Sequence, residues 1–211
     1  MISQTDRIYE YCEKYSSPQD EALASLERET YVKALSPGML SGHIQGNFLT
    51  MISRMIHPEY ILEIGTFTGY SAICLAKGLQ DGGKLITIDI SKEYNYLVEK
   101  YIKSSGFEDR IQVLIGDAKT IIPELDGQID LVFIDADKEA YISYFDMVKA
   151  KMKPGGIILA DNVLWKGKVF DDSMDKKTKA LHDFNVKIAA DPDVDNLILP
   201  LRDGINMIII K

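Results

Sequence analysis

The stretch that most restricts the fold runs from residue 60 to residue 71: Tyr-Ile-Leu-Glu-Ile-Gly-Thr-Phe-Thr-Gly-Tyr-Ser. Its first five residues form a short apolar run with β-branched side chains, the pattern of a buried parallel strand. Gly65 breaks the run and Gly69 follows. Beyond them Ala72, Leu75, Ala76 and Leu79 recur at helical spacing. A strand, a glycine turn and a helix in this order bind a ligand at the carboxyl end of the strand, near the helix N-terminus.

The turn also narrows the ligand. A dinucleotide fingerprint needs Gly-x-Gly-x-x-Gly, so that backbone can approach a pyrophosphate. Here the pattern is Glu-x-Gly-x-x-x-Gly, with Glu63 just ahead of the turn. A carboxylate there repels a pyrophosphate and favours a ligand that carries positive charge. S-adenosylmethionine has an ammonium and a sulfonium and no phosphate. Spacing and acid therefore point to it rather than to a nicotinamide cofactor. The plainer alternative is an ordinary strand-end acid and two glycines that merely turn the chain.

The chain has 211 residues, enough for one domain with a full core,. We expect a single domain over 1–211, with a helical region over 1–57 and an α/β core over 58–211. Apolar content of 46% and charged content of 27% are ordinary for a soluble protein,. No apolar run suits a membrane span. The first residues, Met-Ile-Ser-Gln-Thr-Asp-Arg, lack the basic-then-apolar pattern of a signal peptide, so a cytoplasmic location is expected,. Cys12 and Cys74 form no metal-type pair. Cys74 falls in the helix after the glycine turn and reads as a small core residue. A net charge of −8 argues against a general nucleic-acid-binding surface, while leaving room for a specific RNA partner,.

Taken in order, residues 3–16 and 19–34 predict two helices separated by Pro18 and stopped by Pro37-Gly38. The first carries Ile8, Tyr11, Cys12 and Tyr15 on one face; the second carries Ala22, Leu23, Leu26 and Val32. A third helix covers 44–56, with Phe48, Leu49, Ile52 and Met55 inward. This region is placed to cover a site or a subunit interface. From 60 onward strands at 60–64, 84–89, 111–115, 129–134 and 157–160 alternate with helices at 70–80, 92–105, 118–123 and 138–151. A helix over 174–190 precedes two strands, 195–201 and 205–210, joined by a short turn through Arg202-Asp203-Gly204. Repeated strand–helix units imply a parallel sheet with right-handed crossovers, and the final hairpin makes it mixed. The predicted fold is a doubly wound, seven-stranded α/β sheet.

Acids recur where strands end. Asp89 ends the second strand, where it can accept hydrogen bonds from ribose hydroxyls or cap the helix that follows. In Gly116-Asp117-Ala118, Asp117 either meets an adenine amino group or caps the next helix. Two further sets end neighbouring strands: Asp135-Ala136-Asp137-Lys138 and Asp161-Asn162. Asp135, Asp161 and Asn162 would supply two carboxylates and an amide oxygen, hard donors suited to Mg²⁺, with Mn²⁺ or Ca²⁺ able to substitute. No histidine or cysteine cluster accompanies them, which argues against zinc. Acids here also cap helices, and Asp-Asn is a common turn pair. Lys138 is either a surface lysine or, beside a cation and a sulfonium, one able to take a proton.

Three motifs, Glu63-Ile-Gly-Thr-Phe-Thr-Gly-Tyr-Ser71, Phe133-Ile-Asp-Ala-Asp-Lys138 and Ala160-Asp-Asn-Val-Leu-Trp165, resemble the cation-dependent O-methyltransferases, the family of caffeoyl-CoA and catechol O-methyltransferases and their bacterial relatives. The resemblance covers residues 36–211. The segment Met39-Leu-Ser-Gly-His-Ile-Gln-Gly-Asn-Phe-Leu49 also resembles the family's substrate side, but has Gly42-His43-Ile44 where Ser-Pro-Glu is usual.

The resemblance implies a Rossmann-like class I methyltransferase fold. It makes Asp135, Asp161 and Asn162 metal ligands and Lys138 the general base. Glu63, Gly65, Tyr70, Ser71, Asp89, Gly116, Ala118, Asp135 and Asp137 fall at S-adenosylmethionine contacts, and Thr66 and Asp117 are candidates beside them. Met39 and Ser41 fall at cofactor or acceptor contacts, and Trp165, Lys138 and Asn162 face the acceptor. A homodimer is implied as well. The implied reaction is methyl transfer to a hydroxyl of a catechol-like small molecule chelated by the cation, which lowers the hydroxyl's pKa. Asp135 and Lys138 stand at the centre of that chemistry. Residues 164–174 read as a lid, with Lys166 and Lys168 able to meet an acidic tail of the substrate or simply to face water. Two alternatives stay open: methylation of a hydroxylated wobble uridine of tRNA, and a non-catalytic cofactor-binding protein.

Overall fold

The computed structural model describes residues 4–211; residue 3, where the first helix was expected to start, lies outside them. Helices α1 (Gln4–Tyr15), α2 (Glu21–Lys33) and α3 (Gly42–Ile56) come first. Asp20 caps α2 by accepting the Leu23 amide proton at 2.9 Å, which satisfies one of the donors a helix start leaves free. Leu23, Leu26 and Leu49 are buried, but Met55, expected to face inward, is 78% exposed, and Val32 of the second helix is 82% exposed. Ile8, Tyr11 and Tyr15 of α1 are exposed too. Helical spacing defines a stripe, but not how much of its width the neighbouring elements cover.

From β1 (Tyr60–Ile64) strand and helix alternate. The order is α4 (Tyr70–Ala76), β2 (Lys84–Asp89), α5 (Asn95–Ser104), β3 (Ile111–Ile115), α6 (Ala118–Glu124), β4 (Ile129–Ile134), α7 (Tyr141–Lys149), β5 (Met152–Asp161), α8 (Lys176–Ala190), β6 (Val194–Leu199) and β7 (Ile205–Ile210). In the seven-stranded sheet the strands lie β3-β2-β1-β4-β5-β7-β6. Among the described residues β7 alone runs against the direction of the other six strands. This is the doubly wound mixed sheet that the alternation predicts.

Successive strand residues face opposite sides. Ile61, Leu85, Leu131, Phe133 and Leu159 pack with residues of α2, α3, α4 and α5. Leu62, Ile64, Ile86, Val132, Ile134 and Ile158 pack with α6, α7 and α8. Both faces are covered, which is why the central strands read as continuous apolar runs. The strand order reverses between β1 and β4, and the crevice at the carboxyl ends there is the usual ligand position of such sheets.

Some boundaries differ from expectation. Helix α4 ends at Ala76, not near residue 80. A Cβ on Gly78 would lie 2.2 Å from the Ser53 carbonyl carbon, and Ser53 Oγ donates to the Leu75 carbonyl at 2.6 Å, so α3 itself closes the end of α4. Pro123 lies inside α6, which ends one residue later. Strand β5 begins at Met152 and takes in Pro154-Gly155-Gly156, with a register shift against β4 between Ile129 and Leu131. Lys138–Ala140 form a 3-10 turn before α7. No helix among the described residues is long and apolar enough to cross a membrane.

Candidate active site

The glycine turn closes on the end of β4. Gly65 has φ +102°, and a Cβ there would lie 2.0 Å from the Asp135 carbonyl oxygen. Glycine alone permits both the conformation and the approach. Gly65 N donates to Ile88 O, and Asp135 N to Ile64 O, each at 2.8 Å. Asp89 holds the turn from β2. Its Oδ2 accepts the amides of Thr66 at 3.0 Å and Phe67 at 2.9 Å, and its Oδ1 accepts that of Ser91 at 2.8 Å. Asp89 thus braces the turn and also makes the local Ser91 contact.

Glu63 is fully buried. Its Oε2 accepts the Thr87 hydroxyl at 2.5 Å, while its Oε1 has no hydrogen-bond partner among the described residues. Burial pushes its pKa up to about 8; the Ser71 and Thr87 hydroxyls pull the other way, and the charges of Asp135 and Asp89 add to the rise. Tyr70 and Ser71 are buried at the start of α4. Tyr70 lies so close to α3 that a Cβ on Gly46 would come 2.7 Å from its ring.

The two acidic sets at the ends of β4 and β5 meet. Ile134 and Ala160 are register partners, so Asp135 and Asp161 leave the sheet side by side. Lys138, only 8% exposed, donates to Asp135 Oδ1 and to the Tyr141 hydroxyl, both at 2.7 Å. Tyr141 OH donates to the Asp161 carbonyl at 2.8 Å. Asp161 Oδ2 accepts Gln45 Nε2 at 2.6 Å, and Oδ1 accepts the Asn162 amide at 2.7 Å. Burial first, and then the Asp135 charge, raise the Asp161 pKa to about 6, against the bonds from Gln45 and Asn162 and the Lys138 charge. Asn162 has φ +60°, a strained conformation of the kind that clusters at functional sites.

The remaining candidates sit further out. Asp117 caps α6 through the Lys119 amide at 2.9 Å, beside Gly116 and buried Ala118. Asp137 caps the 3-10 turn through the Glu139 amide at 3.3 Å. Ser41 is buried before α3 and Met39 is 60% exposed. Trp165, with φ +46°, packs partly buried against the core, and Lys166 and Lys168 are exposed. Sequence reasoning did not single out Tyr141, which ties the two acidic sets together, or Gln45, which holds Asp161 from α3. Gln45 lay inside the quoted 39–49 segment, and Tyr141 follows Lys138 by one helical turn. Those two positions were the available signals.

A family described as O-methyltransferase matches residues 13–211. The caffeoyl-CoA O-methyltransferase of Eucalyptus gunnii is 34% identical over 98% of this chain and 88% of its own. The catechol O-methyltransferase of Niastella koreensis is 32% identical over 98% of this chain and 99% of its own. The crystal structure of the O-methyltransferase from Bacillus cereus in complex with SAH superimposes with a TM-score of 0.90 at 30% identity, over 97% of both chains. That of a Streptomyces achromogenes O-methyltransferase involved in tomaymycin synthesis, in complex with SAM, gives 0.92 at 28% identity over the whole of both. With residues 13–211 matched by the family and relatives 32–34% identical over 98% of its length, the chain belongs to the O-methyltransferase family.

Proposed function

We propose that this chain is an S-adenosylmethionine-dependent, divalent-cation-dependent O-methyltransferase acting on a hydroxyl of a catechol-like, vicinal dihydroxy aromatic molecule. The observation that carries the reading is the run of hydrogen bonds Asp135–Lys138–Tyr141–Asp161 beside the Gly65 turn. The relatives named for catechol and caffeoyl-CoA support the acceptor class, and those solved with SAH and SAM support the cofactor.

The residues fit both groups. The buried, unpartnered Oε1 of Glu63 suits a ligand ammonium, as the acid ahead of the turn implies. Asp89 Oδ1 has a lone pair left for a ribose hydroxyl,. Asp117 suits an adenine amino group, and Met39, Ser41, Thr66, Tyr70, Ser71, Gly116, Ala118 and Asp137 are further proposed contacts. Burial, and after it the Asp135 charge, raise the Asp161 pKa, and a cation beside the two carboxylates would favour their ionised forms. Among the described residues no group of three or more His, Cys, Asp or Glu gathers, so the proposed donor set is these two carboxylates with the Asn162 amide oxygen. Such a set suits Mg²⁺, Mn²⁺ or Ca²⁺.

When bound, the cofactor supplies an electrophilic sulfonium methyl, and the cation supplies a positive charge that makes an acceptor hydroxyl more acidic. The protein's part is orientation and proton handling. Lys138, whose Nζ is bonded to Asp135 and Tyr141, is the group that would take or stabilise the acceptor's proton,. Tyr141 and Asp135 fix where that nitrogen sits. Trp165 flanks the acceptor. Correct placement of this kind can contribute roughly 7–11 kcal/mol. The reading extends to a cytoplasmic homodimer, for which the exposed Val32, Leu35, Met51 and Met55 offer apolar surface.

The test is methyl transfer from S-adenosylmethionine to a catechol panel, with Mg²⁺ and again with chelator. Transfer should vanish with chelator. Asp161→Ala should lose the metal-dependent turnover while S-adenosylmethionine still binds. Turnover that ignores chelator sinks the cation assignment. Cofactor binding without any transfer turns attention to tRNA acceptors and then to a non-catalytic role.

A further inference from the structure

The turn between β6 and β7 reaches back to the site from the far edge of the sheet. The two N–H groups of Arg202 Nη1 donate to the carbonyls of Leu40, at 2.7 Å, and Ser41, and one of them is shared with Gln45 Oε1 at a longer 3.4 Å. Arg202 Nη2 donates to the Gly38 carbonyl at 3.4 Å. Gln45 Nε2 in turn donates to Asp161 Oδ2 at 2.6 Å. Among the described residues no carboxylate pairs with the guanidinium.

The donor chemistry gives this run one direction. A guanidinium has N–H groups and no acceptor. Gln45 must therefore turn its carbonyl oxygen to Arg202, which leaves its NH₂ facing Asp161. A reversed amide would set N–H against N–H on one side and a lone pair against a carboxylate on the other. Gln45 is 1% exposed, so water cannot repair the mismatch. The same turn grips the far side of Asp161-Asn162. Gly204 O accepts the Val163 amide at 3.0 Å, Asp203 O the Leu164 amide at 2.9 Å, and Asp203 Oδ1 the Lys166 amide. Arg202 adopts φ +50° to sit there, a conformation few non-glycine residues take.

We propose that Arg202 is a positioning residue for Asp161. It acts through the Gln45 amide and so sets how tightly the Asp135, Asp161 and Asn162 donors hold a divalent cation. This rests on the reading of Asp161 as a cation ligand.

The test is calorimetric titration of the purified full chain with Mn²⁺, and separately with S-adenosylhomocysteine in the absence of metal. The variants are Arg202→Met, Arg202→Lys, Gln45→Met and the Arg202→Met/Gln45→Met double. Arg202→Met and Gln45→Met should each weaken Mn²⁺ binding roughly 10-fold or more, the usual scale for residues that support a metal ligand. Arg202→Lys remains a pure donor and should keep most of the affinity. The double variant should be no weaker than Gln45→Met in Mn²⁺ binding, and Gln45→Met should leave S-adenosylhomocysteine affinity unchanged. Gln45→Met keeps the bonds from Arg202 to the carbonyls of Gly38, Leu40 and Ser41, so it isolates the amide even if Arg202→Met folds poorly. Wild-type Mn²⁺ affinity in Gln45→Met overturns the proposal. So does a double variant in which the two losses multiply. If the wild-type chain binds no Mn²⁺, the parent reading fails and takes this inference with it, a result distinct from wild-type binding with unaffected variants.

Discussion

At the scale of single residues, Glu63 has the environment with the plainest consequence. Its folded pKa is raised from 4.5 to about 8 by burial. Below about 4.5 both folded and unfolded chains hold the proton. Between the two values only the folded chain does, so stability falls as pH rises, by at most about 1.4 kcal/mol per pH unit. Above the folded value the loss is complete. Glu63→Gln cannot titrate and removes this slope. Urea unfolding of the cofactor-free protein from pH 5 to pH 8 should show the wild type losing ground steadily against Glu63→Gln. A constant gap would show that the buried carboxyl is already ionised at pH 5. Glu63 was legible in the sequence because an acid interrupts an apolar run just before two glycines. Asp135 and Asp161 were legible for the same reason, as acids closing apolar runs. Gln45, Tyr141 and Arg202 were not. Gln45 meets Asp161 across 116 positions and Arg202 meets Leu40 across 162, and a local pattern carries no record of contacts that distant.

Elements meet at two kinds of glycine, and substitution separates them. Gly78 sits against the α3 backbone, where a Cβ would fall 2.2 Å from Ser53 C and 2.4 Å from Arg54 N. Gly82 has nothing within 4 Å but adopts φ +77°. Gly82→Ala should cost about 1 kcal/mol, the price of a left-handed alanine. Gly78→Ala has to move two packed helices and should cost more, on the order of 1–3 kcal/mol. Urea midpoints of the two variants give the comparison, and a larger loss at Gly82 would mean that the α3–α4 contact yields easily. Strand positions were read closely from the sequence because apolar runs and glycine punctuation mark them. Helix ends were read less well. The stop of α4 depends on Ser53 from another helix, and the inward face assigned to Met55 depended on covering elements that are not there.

For the whole molecule, the helical region and the sheet share one core. Leu23, Leu26 and Leu49 lie in the same cluster as Ile61, Phe133 and Leu159. Unfolding in urea should therefore follow one transition. Fluorescence of Trp165, the only tryptophan in the sequence, and far-UV circular dichroism should give the same midpoint. Separated midpoints would make the N-terminal helices an independent unit. The strand order has a further consequence, for the growing chain on the ribosome. β7 is synthesised after β6 yet lies between β5 and β6. By then the glycine turn, Asp89, Asp135 and Lys138 have long been made. Gln45, Tyr141 and Asn185 can already hold Asp161 and the Val163 carbonyl, but the amides of Val163, Leu164 and Lys166 find their partners only on the turn that leads into β7. A nascent chain can thus form the glycine turn and the end of β4 well before the amides of Val163, Leu164 and Lys166 find their partners.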